Sequence, residues 1–104
     1  MTYSATRLTT SLLLAALTAV HFSAHAGLNE GLAAYDKAQY AAAMHELTPL
    51  AEKGHAKAQY RLGKMFNLGQ GLPPDKKEAA KWFHMAAQQG LAEAQGALGY
   101  LCLL

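Results

Sequence analysis

The chain has 104 residues, nine Lys/Arg against seven Asp/Glu, and a single cysteine, which suits one small domain. Its near balance of charge excludes the concentrated basic footprint of a nucleic-acid binder. Cys102, standing alone, excludes an intramolecular disulfide framework.

Met1–Ala26 begins with a short polar stretch carrying one cation, Arg7, and runs into an apolar segment, Leu8–Val20, interrupted only by Thr and Ser. Ala24-His25-Ala26 then places small residues at the two positions a signal peptidase inspects. This is the pattern of a secretory signal peptide, with an uncleaved membrane anchor as the alternative. An apolar run of about 13 residues falls short of the roughly 20 that a bilayer requires, so cleavage is the expectation, and no stable membrane span should remain. No cysteine lies near the cleavage site to accept a lipid. The expected location is the bacterial periplasm or the medium, and the expected repeat domain is 27–104. Removing Arg7 with the leader leaves eight Lys/Arg against seven Asp/Glu, a net charge of +1.

In Gly27–Gly54, Leu28, Leu32 and Tyr35 suit a first helix, and Asp36-Lys37 a turn. A second helix is expected from about Ala38, carrying Tyr40, Ala43, Leu47 and Leu50. Pro49 falls inside it, where the missing backbone donor should produce a kink.

Gly54–Gly90 reads as a complete helix–loop–helix unit. Ala58, Leu62, Gly63 and Phe66 recur at helical spacing and form one small, apolar stripe. Gly63 would cost about 1 kcal/mol relative to Ala in a helix interior, so it marks a close approach of a second helix. Gly69 suits a left-handed C-cap, and Gln70-Gly71-Leu72-Pro73-Pro74 forms a loop anchored by Leu72. Asp75 is the expected N-cap of the next helix, with Glu78 completing a capping box. Ala79, Trp82, Phe83 and Ala86 form the facing apolar stripe, and Gly90 closes the helix.

The first half of this unit then returns: Gly54–Phe66 matches Gly90–Cys102 at a period of 36 residues. Gly54 pairs with Gly90, Ala58 with Ala94, Gln59 with Gln95, Leu62 with Leu98 and Gly63 with Gly99. The same period pairs Ala43 with Ala79, Leu47 with Phe83 and Ala51 with Ala87. The inter-helix loop of the first unit is shorter, with 8 positions from Tyr35 to Ala43 against 13 from Phe66 to Ala79. The units are therefore about 27–53, 54–89 and a partial 90–104. The fold class is all-α, an αα-hairpin repeat solenoid of about two and a half repeats. The last segment supplies one apolar helix, Gly90–Leu104, without the polar cap that repeat proteins usually carry. Two explanations stand: self-association through that uncapped C-terminal helix, or a truncated form of a longer repeat protein.

The residues Ala58, Leu62-Gly63, Phe66, Gly69, Gly71, Leu72, Asp75, Ala79, Trp82, Phe83, Ala86-Ala87 and Gly90 resemble the Sel-1-like repeat, a relative of the tetratricopeptide repeat. Phe66 stands where that family usually has Tyr. With its partial units, the resemblance extends from Gly27 to the C-terminus. It implies a stacked helical scaffold that binds a protein or peptide, with the first helices of successive units lining the concave side. Some secreted relatives carry a disulfide in each repeat and are linked to β-lactam binding or hydrolysis, but that cysteine pattern is missing here.

Candidate chemistry is sparse. Cys102 is expected to be a small buried hydrophobe, with an intermolecular disulfide as the alternative. His45, His55 and His84 have no partner at metal-ligand spacing, and every serine (Ser4, Ser11, Ser23) precedes the cleavage site. Gly69-Gln70-Gly71 follows a helix rather than a strand and lacks the Lys-Ser/Thr of a phosphate-binding loop. No catalytic residue, metal or cofactor is therefore expected. What remains is a surface: Lys57, Arg61 and Lys64, at i, i+4 and i+7, share one helix face with Tyr60 at its edge. That face is either simply solvated or a basic–aromatic strip for an acidic or extended peptide. The expected function is a non-enzymatic protein–protein interaction module of the bacterial envelope or secreted space. The alternatives are a cell-wall-active or β-lactam-hydrolysing enzyme and a non-functional remnant of a longer repeat protein.

Overall fold

Small side chains spaced at three and four residues let two helices approach closely, and this chain uses that device twice. A computed structural model describes residues 27–103; the leader read at Met1–Ala26 lies outside them. Residues 27–36 are helical (α1), followed by α2 (Tyr40–Glu52), α3 (Ala56–Leu68), α4 (Lys76–Gln88) and α5 (Ala92–Leu103). No strand occurs among the described residues, and none of their helices is long and apolar enough to cross a membrane. The chain is an all-α stack of αα-hairpins. Helix α3 packs against both α2 and α4, and α5 packs against α4.

The close approach in α3–α4 is at Gly63. A Cβ there would lie 2.6 Å from two ring carbons of Phe83, so only hydrogen fits beneath the phenyl ring. In α1–α2 the equivalent is Gly31, where a Cβ would lie 2.7 Å from a methyl of Leu47. Since Leu47 and Phe83 are one period apart, Gly31 corresponds to Gly63. Gly31 to Ala43 spans 12 positions and Gly63 to Ala79 spans 16, a difference of four in the connecting loop. The pairing of Tyr35 with Phe66 is thus corrected by one residue: Ala34 takes the place of Phe66, and Tyr35 turns toward the loop after α3.

Ala34, Tyr35, Ala43, Leu47, Ala51, Ala58, Leu62, Met65 and Trp82 form one continuous buried cluster. Phe83, Ala79, Ala86 and Ala94 are buried as well. Full burial of a large aliphatic or aromatic side chain contributes about 1.5–3 kcal/mol, so Leu47, Leu62, Met65 and Phe83 dominate the hairpins' cohesion. Leu72 and Phe66 are half-buried and pack against the cluster.

Two local expectations change. Helix α2 starts at Tyr40, not Ala38, because Ala38 takes the left-handed conformation (φ 60°) in the preceding turn. The helix runs on through Pro49, whose exposed ring faces solvent three residues before the helix ends. The capping box is half-formed. Asp75 accepts from the amides of Lys77 and Glu78, both at 3.1 Å. The Asp75 amide, which Glu78 would have received, donates instead to the Phe66 carbonyl at 2.8 Å across the loop. Glu78 lies 3.9 Å from Lys81.

Candidate functional site

Glycine and glutamine contacts tie the α3–α4 loop to α1 and α2. Gly69 caps α3 in the left-handed conformation (φ 69°), and a Cβ on it would press within 2.7 Å of the Pro74 ring. Gly71 (φ 81°) lies so close to α2 that a Cβ would meet the Tyr40 Cβ at 2.6 Å. Between them, Gln70 is held against two tyrosines. Tyr35 Oη donates to Gln70 Oε1 at 2.8 Å, and Gln70 Nε2 donates to Tyr40 Oη at 3.4 Å. The two rings meet edge-on at 5.8 Å. Lys76 completes the clip, donating to Asn67 Oδ1 at 2.6 Å and to the Asn67 carbonyl at 3.0 Å. That contact sets a cation against the negative end of α3.

The strip on α3 rests on this aromatic floor. Arg61 lies 5.1 Å from the Tyr35 ring centre and 5.8 Å from that of Tyr60. Lys64 sits at 5.4 Å and 5.8 Å from the same two rings. Both cations are within the range in which the negative ring face attracts them, worth about 0.5–1 kcal/mol at exposed sites. Tyr60 is itself braced by Phe83, with ring centres 5.7 Å apart. Lys57 is exposed, whereas Tyr60, Arg61 and Lys64 are half-buried. Lys57 is therefore open to solvent, while Arg61 and Lys64 are partly covered. These two are held over rings contributed by α1 and α3.

No carboxylate among the described residues lies within ion-pair distance of Lys57, Arg61 or Lys64; the pair found there is Lys81–Glu78. A cleft of about 360 Å³ opens beside the strip, lined by Leu32 of α1, Lys57, Tyr60 and Arg61 of α3, Leu91, and Glu93 of α5. Sequence reasoning missed Tyr35, Tyr40, Gln70 and Leu32 as parts of this face, since they come from three other segments. The one available hint was Gln70, a polar residue held between two glycines.

The remaining signature residues have structural placements. Ala58, Leu62, Gly63, Ala79, Trp82, Phe83 and Ala86 are buried at helix contacts, and Gly90 (φ 90°) forms the turn after α4. Trp82 Nε1 is buried without a hydrogen-bond partner among the described residues, and Lys81 lies 5.7 Å from the Trp82 ring centre. Gln59, 1% exposed, is an unanticipated core polar group. Its Nε2 donates to the Ala51 carbonyl at 3.1 Å, and its Oε1 accepts from Gln89 Nε2 at 2.9 Å. One period on, Gln95 Nε2 donates to the Ala87 carbonyl at 3.3 Å, so the bond between hairpins repeats.

Cys102 is exposed, a correction to the expected buried placement. It lines a second, largely apolar cleft of about 390 Å³ with Lys76, Lys77, Ala80, Leu98 and Leu101. On this face α5 carries no overlying helix among the described residues, so the last turn does not enclose its side chains. His45, His55 and His84 are all exposed. Among the described residues no three His, Cys, Asp or Glu side chains gather as a metal site would require.

No curated protein and no solved structure matches the chain. Its residues 56–91, spanning α3, the Gly-Gln-Gly loop and α4, match the model of the Sel1 repeat. The close glycine–phenyl contact, the positive-φ glycines Gly69, Gly71 and Gly90 and the buried indole all lie in that segment, which is identified by this match as a Sel1 repeat.

Proposed function

We propose that the chain is a non-enzymatic interaction module of the bacterial cell envelope, or a secreted one, that grips an acidic segment of a partner protein along Lys57, Tyr60, Arg61 and Lys64. Sel1 repeats mediate protein–protein interaction, which gives the general class. The observation that carries the finer reading is the pair of cations, Arg61 and Lys64, poised over the rings of Tyr35 and Tyr60 with no carboxylate partner among the described residues. A partner carboxylate would meet cations already oriented by the rings, so less side-chain entropy is lost on binding. The envelope assignment is supported by the leader-like sequence of Met1–Ala26.

The test is a triple Lys57/Arg61/Lys64→Glu variant compared with the natural chain in crosslinking from envelope preparations, read by quantitative mass spectrometry. The variant keeps its helical circular dichroism and loses the proteins that the natural chain captures. Unchanged capture by a folded variant would refute the strip as the binding surface.

A further inference from the structure

The cleft beside the strip is not uniformly polar, and its asymmetry bears on what it takes. Two of its walls are aliphatic and come from opposite ends of the described chain: Leu32 on α1 and Leu91 in the turn before α5. Both are half-buried, so each offers part of a side chain to the opening. Lys57 and Arg61, one helical turn apart, supply positive charge on the α3 wall, and Tyr60 supplies a flat apolar surface. Glu93 puts one negative charge at the α5 wall beside Leu91. At about 360 Å³ the cleft is near the lower end of ligand-sized sites, about 300–1,000 Å³, which suits a side chain or two and is too small for a helix.

We infer that this cleft recognises an aliphatic side chain adjacent to a carboxylate in an extended segment of a partner protein. The inference rests on the acidic-partner reading above and adds the apolar half of the motif. The carboxylate goes to Lys57 and Arg61, where positive charge is unpaired among the described residues. The aliphatic side chain goes between Leu32 and Leu91, where it removes apolar surface from water. Glu93 repels a second carboxylate at the α5 wall, so a segment that is acidic throughout fits less well than one in which an aliphatic residue interrupts the acids. Each of the three helical segments that line the cleft supplies one requirement, and no single hairpin contains the whole motif.

The experiment uses the purified chain and three labelled extended peptides read by fluorescence anisotropy: glutamates flanking a leucine, the same peptide with serine for leucine, and the leucine peptide with glutamines for glutamates. The leucine–glutamate peptide should bind about tenfold more tightly than the serine version, the order of discrimination a small apolar pocket provides. The glutamine version should bind weakly and lose the salt dependence. A Leu91→Thr variant, in which the new residue suits a helix N-terminus, should keep its helicity and its preference for acids while losing the leucine–serine difference. Equal binding of both acidic peptides by the natural chain overturns this inference and leaves the acidic-partner reading standing. Failure of every acidic peptide to bind overturns that reading as well. Concentration-dependent self-association abolished by Leu91→Thr would assign the cleft to a second copy and overturn the peptide motif.

Discussion

Gly63 and Gly99 occupy the same position of the 36-residue period and differ completely in what surrounds them. At Gly63 a methyl group would strike the Phe83 ring at 2.6 Å; at Gly99 nothing lies within 4 Å. Overpacking a close helix contact costs about 1–3 kcal/mol, against a helix-propensity gain of roughly 1 kcal/mol for Gly to Ala. Gly63→Ala should therefore lower unfolding free energy by up to about 2 kcal/mol, toward the upper end of that range because the phenyl ring, fully enclosed itself, has no room to yield. Gly99→Ala, in the interior of α5, should raise it by about 0.5–1 kcal/mol. Urea titrations of the two variants check both signs, and a loss at Gly99 would show that something packs there. The close-contact role of Gly63 was legible from an unfavourable residue inside an otherwise good helix. The role of Gly31 was not, because its helix carries a weaker stripe and its loop is four residues shorter.

At the level of the element, the ends of α3 and α4 are joined by the loop more tightly than local capping rules imply. Asp75 satisfies two amides of α4, while its own amide is committed to Phe66. Asp75→Ala should cost about 1 kcal/mol, the usual worth of an N-cap oxygen. Glu78→Ala should stay within about 0.5 kcal/mol, as expected for a surface substitution that breaks no cap. Thermal unfolding followed by circular dichroism compares the two; equal losses would mean that the reciprocal half of the capping box forms in solution. The Ser/Thr/Asp-x-x-Glu pattern identified the helix start in the sequence. It could not reveal that a carbonyl nine residues earlier would take the amide first, because that competition depends on the closed loop.

Across the molecule, cohesion between hairpins combines the apolar cluster with a repeated side-chain bond. Gln59 ties α3 to the Ala51 carbonyl of α2 and is itself held by Gln89, while Gln95 repeats the tie to Ala87 at an exposed position. The Ala51 carbonyl keeps the Gly54 amide as a donor at 3.0 Å, so losing Gln59 removes two buried hydrogen bonds worth about 0.5–1.5 kcal/mol each, whereas water replaces a lost bond at the surface. Gln59→Ala should thus destabilise by about 2 kcal/mol, and Gln95→Ala by less than about 0.5 kcal/mol, as measured by chemical denaturation. Comparable losses would show that the Gln95 bond is shielded from water in solution. The face proposed for binding has the same molecular origin, for it takes Leu32 and Tyr35 from α1, Gln70 from a loop and the cations from α3.

By itself the sequence determined the helical class, the 36-residue period, the turn glycines and the helix stripes around Trp82 and Phe83, because these depend on spacing along one or two turns of chain. It also placed Lys57, Arg61 and Lys64 on one face, which is helix geometry alone. Only the tertiary structure decided that two of those cations rest on tyrosine rings, that Gln59 is a buried tie, that Gly31 is the first hairpin's contact point, and that Cys102 is exposed. Each depends on atoms brought together from separate helices, and periodicity records which face a residue occupies without recording what that face meets.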